Sequence, residues 1–171
     1  MKTTVLAASI AVLFASFGAL AANQGSGVVN FKGTVIDAPC GIAPESADQS
    51  IDFGQMSKTQ LAAGGISVQK NLDIKLVNCD VTSVTKGVQV TFSGTSVSGA
   101  ATELQTAGIT NTAVVINGYN SDVTYGTPTS NIQLLNGDNT LHFMTWAKQA
   151  TGKTVAEGDF TAVANFNLTY Q

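Results

Sequence analysis

From residue 160 to residue 170 the chain alternates. Phe160, Ala162, Ala164, Phe166, Leu168 and Tyr170 take the even positions, and Thr161, Val163, Asn165, Asn167 and Thr169 the odd ones. A period of two predicts a strand with one buried face. The run reaches the last residue but one, so this terminus is expected to belong to the core. The same period recurs over residues 71–78, where Leu72, Ile74 and Leu76 alternate with Asp73, Lys75 and Val77. In residues 140–148, Leu141, Phe143, Thr145 and Ala147 oppose His142, Met144, Trp146 and Lys148. Shorter runs at 88–92, 113–116 and 132–135 read as further strands, and Ile51-Asp52-Phe53-Gly54 as a short edge strand. Turn chemistry punctuates them at Asn117-Gly118, Thr127-Pro128 and Asn136-Gly137-Asp138. Ser57 as cap and Gly64-Gly65 as stop frame one short helix over 57–63, the only helix this pattern predicts after the leader. About seven short strands joined by tight turns predict an all-β sandwich, with immunoglobulin-like topology as the first choice.

The opposite end follows other rules. Met1-Lys2, an uncharged run over 5–17 and Ala19-Leu20-Ala21 describe a secretory signal peptide, residues 1–21. The apolar run falls short of the roughly 20 residues of a membrane span, so no membrane anchor is expected. Residues 22–33 would show Gly25, Gly27, Val29, Phe31 and Gly33 on one face of a strand. Glycine weakens a strand interior and often marks the close approach of another backbone. With no hydrophobic anchor before Val28, the first half is expected to be mobile unless paired. The strand should continue through Thr34-Val35-Ile36 and end near Cys40. Two readings stay open at this point: an ordinary N-terminal strand of its own domain, or a segment that pairs elsewhere.

Charge narrows the function classes. Eight Lys and Arg stand against eleven Asp and Glu, a formal charge of −3, and loss of the leader removes Lys2 as well. Nothing is basic enough to hold a phosphate backbone, so nucleic acid is not an expected partner. Cys40 and Cys79 are the only cysteines, both in the exported part. In an oxidising compartment they are expected to form a disulfide, and closing a loop of about 40 residues stabilises a fold by on the order of 4 kcal/mol. They lack the C-x-x-C spacing of a redox pair, and two thiols with a distant His142 make a poor metal site. His142 is the single histidine and sits in a strand pattern, with no serine elbow or thiol nucleophile beside it. Asp37, Glu45, Asp52, Asp122 and Asp138 fall mostly in turns, where they cap local backbone. No enzyme activity, cofactor or metal is expected.

Particular residues carry a resemblance: Gly-Thr-Val-Ile-Asp-Ala-Pro-Cys at 33–40, Asp52-Phe53-Gly54-Gln55, Leu76-Val77-Asn78-Cys79, Gly158 fourteenth from the end and penultimate Tyr170. With these the chain resembles, over essentially its whole exported length, the pilin subunits of chaperone-usher pili, and most of all their major rod subunits. The resemblance implies an incomplete immunoglobulin-like β-sandwich, completed by a donor strand from a neighbouring subunit. Its domains would be the signal peptide 1–21, a donor extension 22–33 and a pilin body 34–171. Gly25, Gly27, Val29, Phe31 and Gly33 would form the donor strand, with Val29 and Phe31 as its large plugs. Gly158, Phe160, Ala162, Ala164, Phe166, Leu168 and Tyr170 would border the groove that receives a strand, first from a periplasmic chaperone and then from the next pilin. An outer-membrane usher would complete the export route to the cell surface. A minor adaptor pilin, a receptor-binding fimbrial adhesin and a complete periplasmic immunoglobulin-like domain are the competing readings.

Overall fold

The computed structural model describes residues 26–171, so the signal peptide and Gly25 lie outside the described residues. The chain divides after Val35 into two compact units. In the first, residues 26–35 carry no regular secondary structure, and Val28, Val29, Phe31 and Val35 are exposed. The strand expected through 34–36 does not form. Alternation supplies a face, but a ladder needs the N–H and C=O groups of a partner.

The second unit, Ile36–Gln171, is almost all strand. In chain order it holds β1 (Gly41–Ile42), α1 (Pro44–Ala47), α2 (Lys58–Ala62), β2 (Lys70–Cys79), β3 (Val88–Ser93), β4 (Ser96–Val97), β5 (Ala100–Gln105) and β6 (Ala107–Gly108). Then follow β7 (Thr112–Gly118), β8 (Ser121–Asp122), β9 (Gly137–Gln149), β10 (Phe160–Thr161) and β11 (Asn165–Tyr170). One curled sheet runs β1-β2-β9-β7-β5-β4, with β8 paired to β7. Two smaller ribbons, β11 with β3 and β10 with β6, complete the strand pairing. Ile74 and Leu76 of β2, Leu141 and Phe143 of β9 and Val88, Val90 and Phe92 of β3 are buried in one core cluster. Phe92 meets Phe143 edge-on at 5.1 Å between centroids. The core thus lies between the large sheet and the β3-β11 ribbon, the layering of a β-sandwich.

The Cys40–Cys79 disulfide is present and joins the residue before β1 to the end of β2. Beside it, Gly41 pairs with Val77 and Ile42 with Leu76. α1 follows at once, pinned to β2 through the buried Ser46, whose Oγ accepts from Lys75 N at 2.9 Å and donates to Asp73 O at 3.3 Å. α2 is the expected helix: Ser57 Oγ accepts from Gln60 N, and Gly64 follows its end with φ +83°.

Several expectations are corrected. α1 is a second helix, opened by Pro44, where a missing N–H costs nothing. Residues 51–54 form no strand; Asp52 Oδ1 instead accepts from Gly54 N at 2.7 Å, folding the backbone into a local turn. Residues 132–135 contribute a single bridge, Ile132 to Val88, and no strand. The C-terminal strand breaks at residues 162–164 into β10 and β11, because its first part pairs with β6 and its second with β3. The turn expected at Asn117-Gly118 lies two residues on, at Tyr119-Asn120, both with positive φ. Gly118 stays in β7, paired with Ser121, and glycine is needed there because a Cβ would fall 2.3 Å from Phe143 Cδ1.

One buried polar group ties β5 to β9. The Glu103 carboxylate, 4% exposed, accepts from Lys148 Nζ at 2.5 Å, from Thr151 N at 2.8 Å and from Thr151 Oγ1 at 2.7 Å. Burial pushes its pKa up, but the bonds from Lys148 and Thr151 together outweigh that and hold the carboxyl below the usual range. A depressed carboxyl contributes fully above its unfolded pKa, about 4.3, and loses that contribution as pH falls through the folded value. Urea titration at neutral pH should show Glu103→Gln less stable by about 1–3 kcal/mol. The gap between variant and parent should narrow on acidification below about pH 4.

Candidate functional site

The large feature of the second unit is an open groove of about 1130 Å³. One wall is Ile42 of β1 with residues 46–56; the other is residues 155–166; Leu72, Phe92 and Ile116 lie at its floor. Its making is a matter of strand count. Among the described residues, β1 ends the large sheet and has β2 alone as partner, while β11 has β3 alone.

The free edge of β11 can be read residue by residue. Gln171 N donates to Gly87 O and Lys86 N donates to Gln171 O, so Gln171 faces β3 with both its backbone groups. In a strand the backbone groups of successive residues point to opposite edges. Asn167 and Thr169 therefore face β3, whereas Phe166, Leu168 and Tyr170 turn their N–H and C=O to the open side. The same three side chains pack half-buried against the core cluster. Backbone donors and acceptors and an apolar face are thus offered together, which is what an added extended strand recognises. Burial raises the Tyr170 phenol pKa, so the ring stays neutral at the end of this edge.

The walls touch in one region. Phe53, from the turn at 52–54, stacks on Phe160 of β10 with centroids 6.4 Å apart. Lys58 Nζ and Glu157 Oε1 pair at 3.4 Å. The exposed ion pair contributes little, about 0–1 kcal/mol; the aromatic contact is the stronger clasp, about 0.5–1.5 kcal/mol beyond its area. Phe53 was the member the alternation argument missed, since it belongs to a turn whose role appears only when the wall opposite is in place.

Of the residues expected to border a groove, Gly158, Phe160, Ala162, Ala164 and Phe166 line it, and Leu168 and Tyr170 continue the same half-buried face beyond its lining. Ala162 is exposed and outside any strand, and Gly158 has φ +144° with Ile109 Cγ1 only 3.0 Å from where a Cβ would stand. Of the residues expected to donate a strand, Val29 and Phe31 are 74% and 90% exposed, and Gly27 and Gly33 have open space around them. His142 lies on the outer face of β9, its Nδ1 2.8 Å from Asp73 Oδ1. Among the described residues no group of three or more metal-ligating side chains occurs, and no helix is long and apolar enough to cross a membrane.

Known proteins give the geometry a context. The fimbrial protein family matches residues 29–171. The KS71A fimbrillin of Escherichia coli is 50% identical, with both chains covered in full. The Pap fimbrial major pilin of Escherichia coli is 46% identical over the full length of both. Among solved structures, a chaperone-usher pilus subunit is 48% identical with a TM-score of 0.82, covering 86% of this chain and 97% of that one. The P pilus rod subunit PapA is 47% identical with a TM-score of 0.75, covering 78% and 100%.

The free edge has a direct readout. Amide hydrogen exchange of the unoccupied chain should be fast at Phe166 and Leu168 and slower at Asn167 and Thr169. Uniform protection along β11 would show that its outer edge is already paired.

Proposed function

The chain belongs to the fimbrial protein family and is a structural pilus subunit of the major rod type, and we propose that it polymerises by lending residues 25–33 to the groove of a neighbouring copy. The observation that carries this is the open edge of β11, whose unpaired backbone groups and half-buried apolar face ask for one more strand. Residues 26–35 supply a fitting donor: exposed, without secondary structure, and with Val29 and Phe31 flanked by Gly27 and Gly33 at every second position.

On this reading residues 1–21 are the leader, 22–33 the donor extension and 34–171 the body. Val29 and Phe31 enter the groove, and Gly27 passes where a side chain would meet the floor; Gly25 and Gly33 lie at the two ends. Burying two such side chains contributes roughly 3–6 kcal/mol of transfer free energy, to which the backbone ladder adds. Donor and groove are different surfaces of the same chain, so the contact is head-to-tail and does not close on itself; its product is a filament. A periplasmic chaperone fills the groove until the donor arrives, an outer-membrane usher passes the subunits outward, and the fibre stands on the cell surface. Every step is non-covalent and needs no catalytic residue or cofactor.

Co-expression with the cognate chaperone tests the scheme. The full chain should give ladders that resist SDS without boiling, and a chain lacking 22–33 should stop at a one-to-one chaperone complex. If the truncated chain also forms ladders, or if both run as chaperone-free folded monomers, the donor assignment fails. Phe31→Ala in a synthetic 25–33 peptide should weaken binding to the groove by about tenfold or more, since each 1.4 kcal/mol is a factor of ten. Phe53→Ala, which removes the clasp between the walls, should speed uptake of that peptide in a stopped-flow assay. An unchanged rate would mean that the clasp lies off the path of the incoming strand.

A further inference from the structure

The sequence contains two Asn-Gly pairs, Asn117-Gly118 and Asn136-Gly137. As dipeptides they have the same chemistry: the following backbone nitrogen attacks the side-chain amide carbon, and glycine leaves that nitrogen unscreened. The fold separates them. We propose that Asn136 is a site of spontaneous deamidation and that Asn117 is protected by the fold.

Asn136 and Gly137 are both exposed, in the turn that leads into β9. Gly137 is the first residue of β9, at the last pair of the ladder with β2; it has φ +90° and open space where a Cβ would stand, so only that end pair has to fray for its nitrogen to approach the side chain. Val81 N donates to Asn136 Oδ1 at 3.0 Å. That bond polarises the amide carbonyl and meets the negative charge that gathers on Oδ1 during attack, the role of an oxyanion donor. Asn117 has the reverse surroundings. It lies in β7, paired with Met144 on one side and Asp122 on the other. Its Nδ2 donates to Asp122 Oδ1 at 2.7 Å. A Cβ at Gly118 would fall 2.3 Å from Phe143 Cδ1, so the ring packs directly on its backbone, and the pairing of Gly118 with Ser121 holds that backbone in the ladder.

The step balances with water alone. A bond forms from Gly137 N to Asn136 Cγ, the Cγ–Nδ2 bond breaks, and ammonia leaves with the proton from Gly137 N. Water then opens the five-membered imide. Attack at Cγ yields aspartate; attack at the backbone carbonyl carbon yields isoaspartate, with the main chain longer by one methylene. Each product adds a negative charge beside Asp138. The isoaspartate product also disturbs the register at Gly137, which pairs with Cys79.

The test incubates protein purified from the periplasm at mildly alkaline pH, folded and in urea, followed by peptide mapping with isoaspartate detection. In the folded protein the Asn136 peptide should lose its amide while the Asn117 peptide keeps it. In urea both should convert, and the difference between them should vanish. Retention of the Asn136 amide in the folded protein, or conversion of Asn117 at the same rate, overturns the proposal. Asn136→Gln, whose longer side chain does not close a five-membered imide, should remove the folded-state conversion and leave the urea conversion at Asn117.

Discussion

A strand inside a sandwich needs a neighbour on each side, and β11 has one. Every other property of the groove follows from that shortage. The backbone groups of Phe166, Leu168 and Tyr170 have no partner in the strand ladder among the described residues, and their side chains cover the core by half only. In water such an edge invites association with whatever extended chain is near. The body is therefore built with a vacancy whose shape is that of a strand, which the proposed assembly fills with the N-terminal segment of another copy.

The remaining structure holds that vacancy open at a defined width. Opposite β11, the chain from β1 through α1 is fastened to β2 by the disulfide, by a two-residue ladder and by the buried Ser46 hydroxyl. Between them the Phe53–Phe160 stack spans the gap, a contact of modest strength that an incoming strand can outbid. Glu103, held by Lys148 and Thr151, serves a different end: it fixes the turn after β9 to β5, on the closed part of the sheet. Stiff pairing is spent away from the groove and weak pairing across it.

What could be read from sequence divides along the same line. Long strands with one buried face, β2, β3, β9 and β11, announce themselves by period, because one face of each meets the core; β7 shows instead as a short continuous apolar run, buried on both faces from Thr112 to Ile116. The cap of α2 and the disulfide were legible for equally local reasons. Ribbons of two residues, such as β6 and β10, have no room for a period and exist only because the fold brings them together. The break at 162–164 was invisible, since alternation continues across it while the hydrogen-bonding partner changes. The segment 26–36 failed in the opposite sense: it has the alternation of a strand and finds no ladder partner among the described residues. Phe53 reads as strand by composition and takes its role from a turn set by Asp52.

The position of the disulfide has a mechanical meaning. In the fibre proposed here load would run along the axis, and the pull on each donor segment would enter the body through the chain that follows it, near Cys40. Without the cross-link, that pull would meet β1 end-on and peel its few hydrogen bonds from β2 one after another, the weakest way to load a ladder. The bond from Cys40 to Cys79 stands ahead of the first of them. Tension passes covalently into β2, the long strand paired with β9 along most of its length, where many hydrogen bonds resist in shear at once.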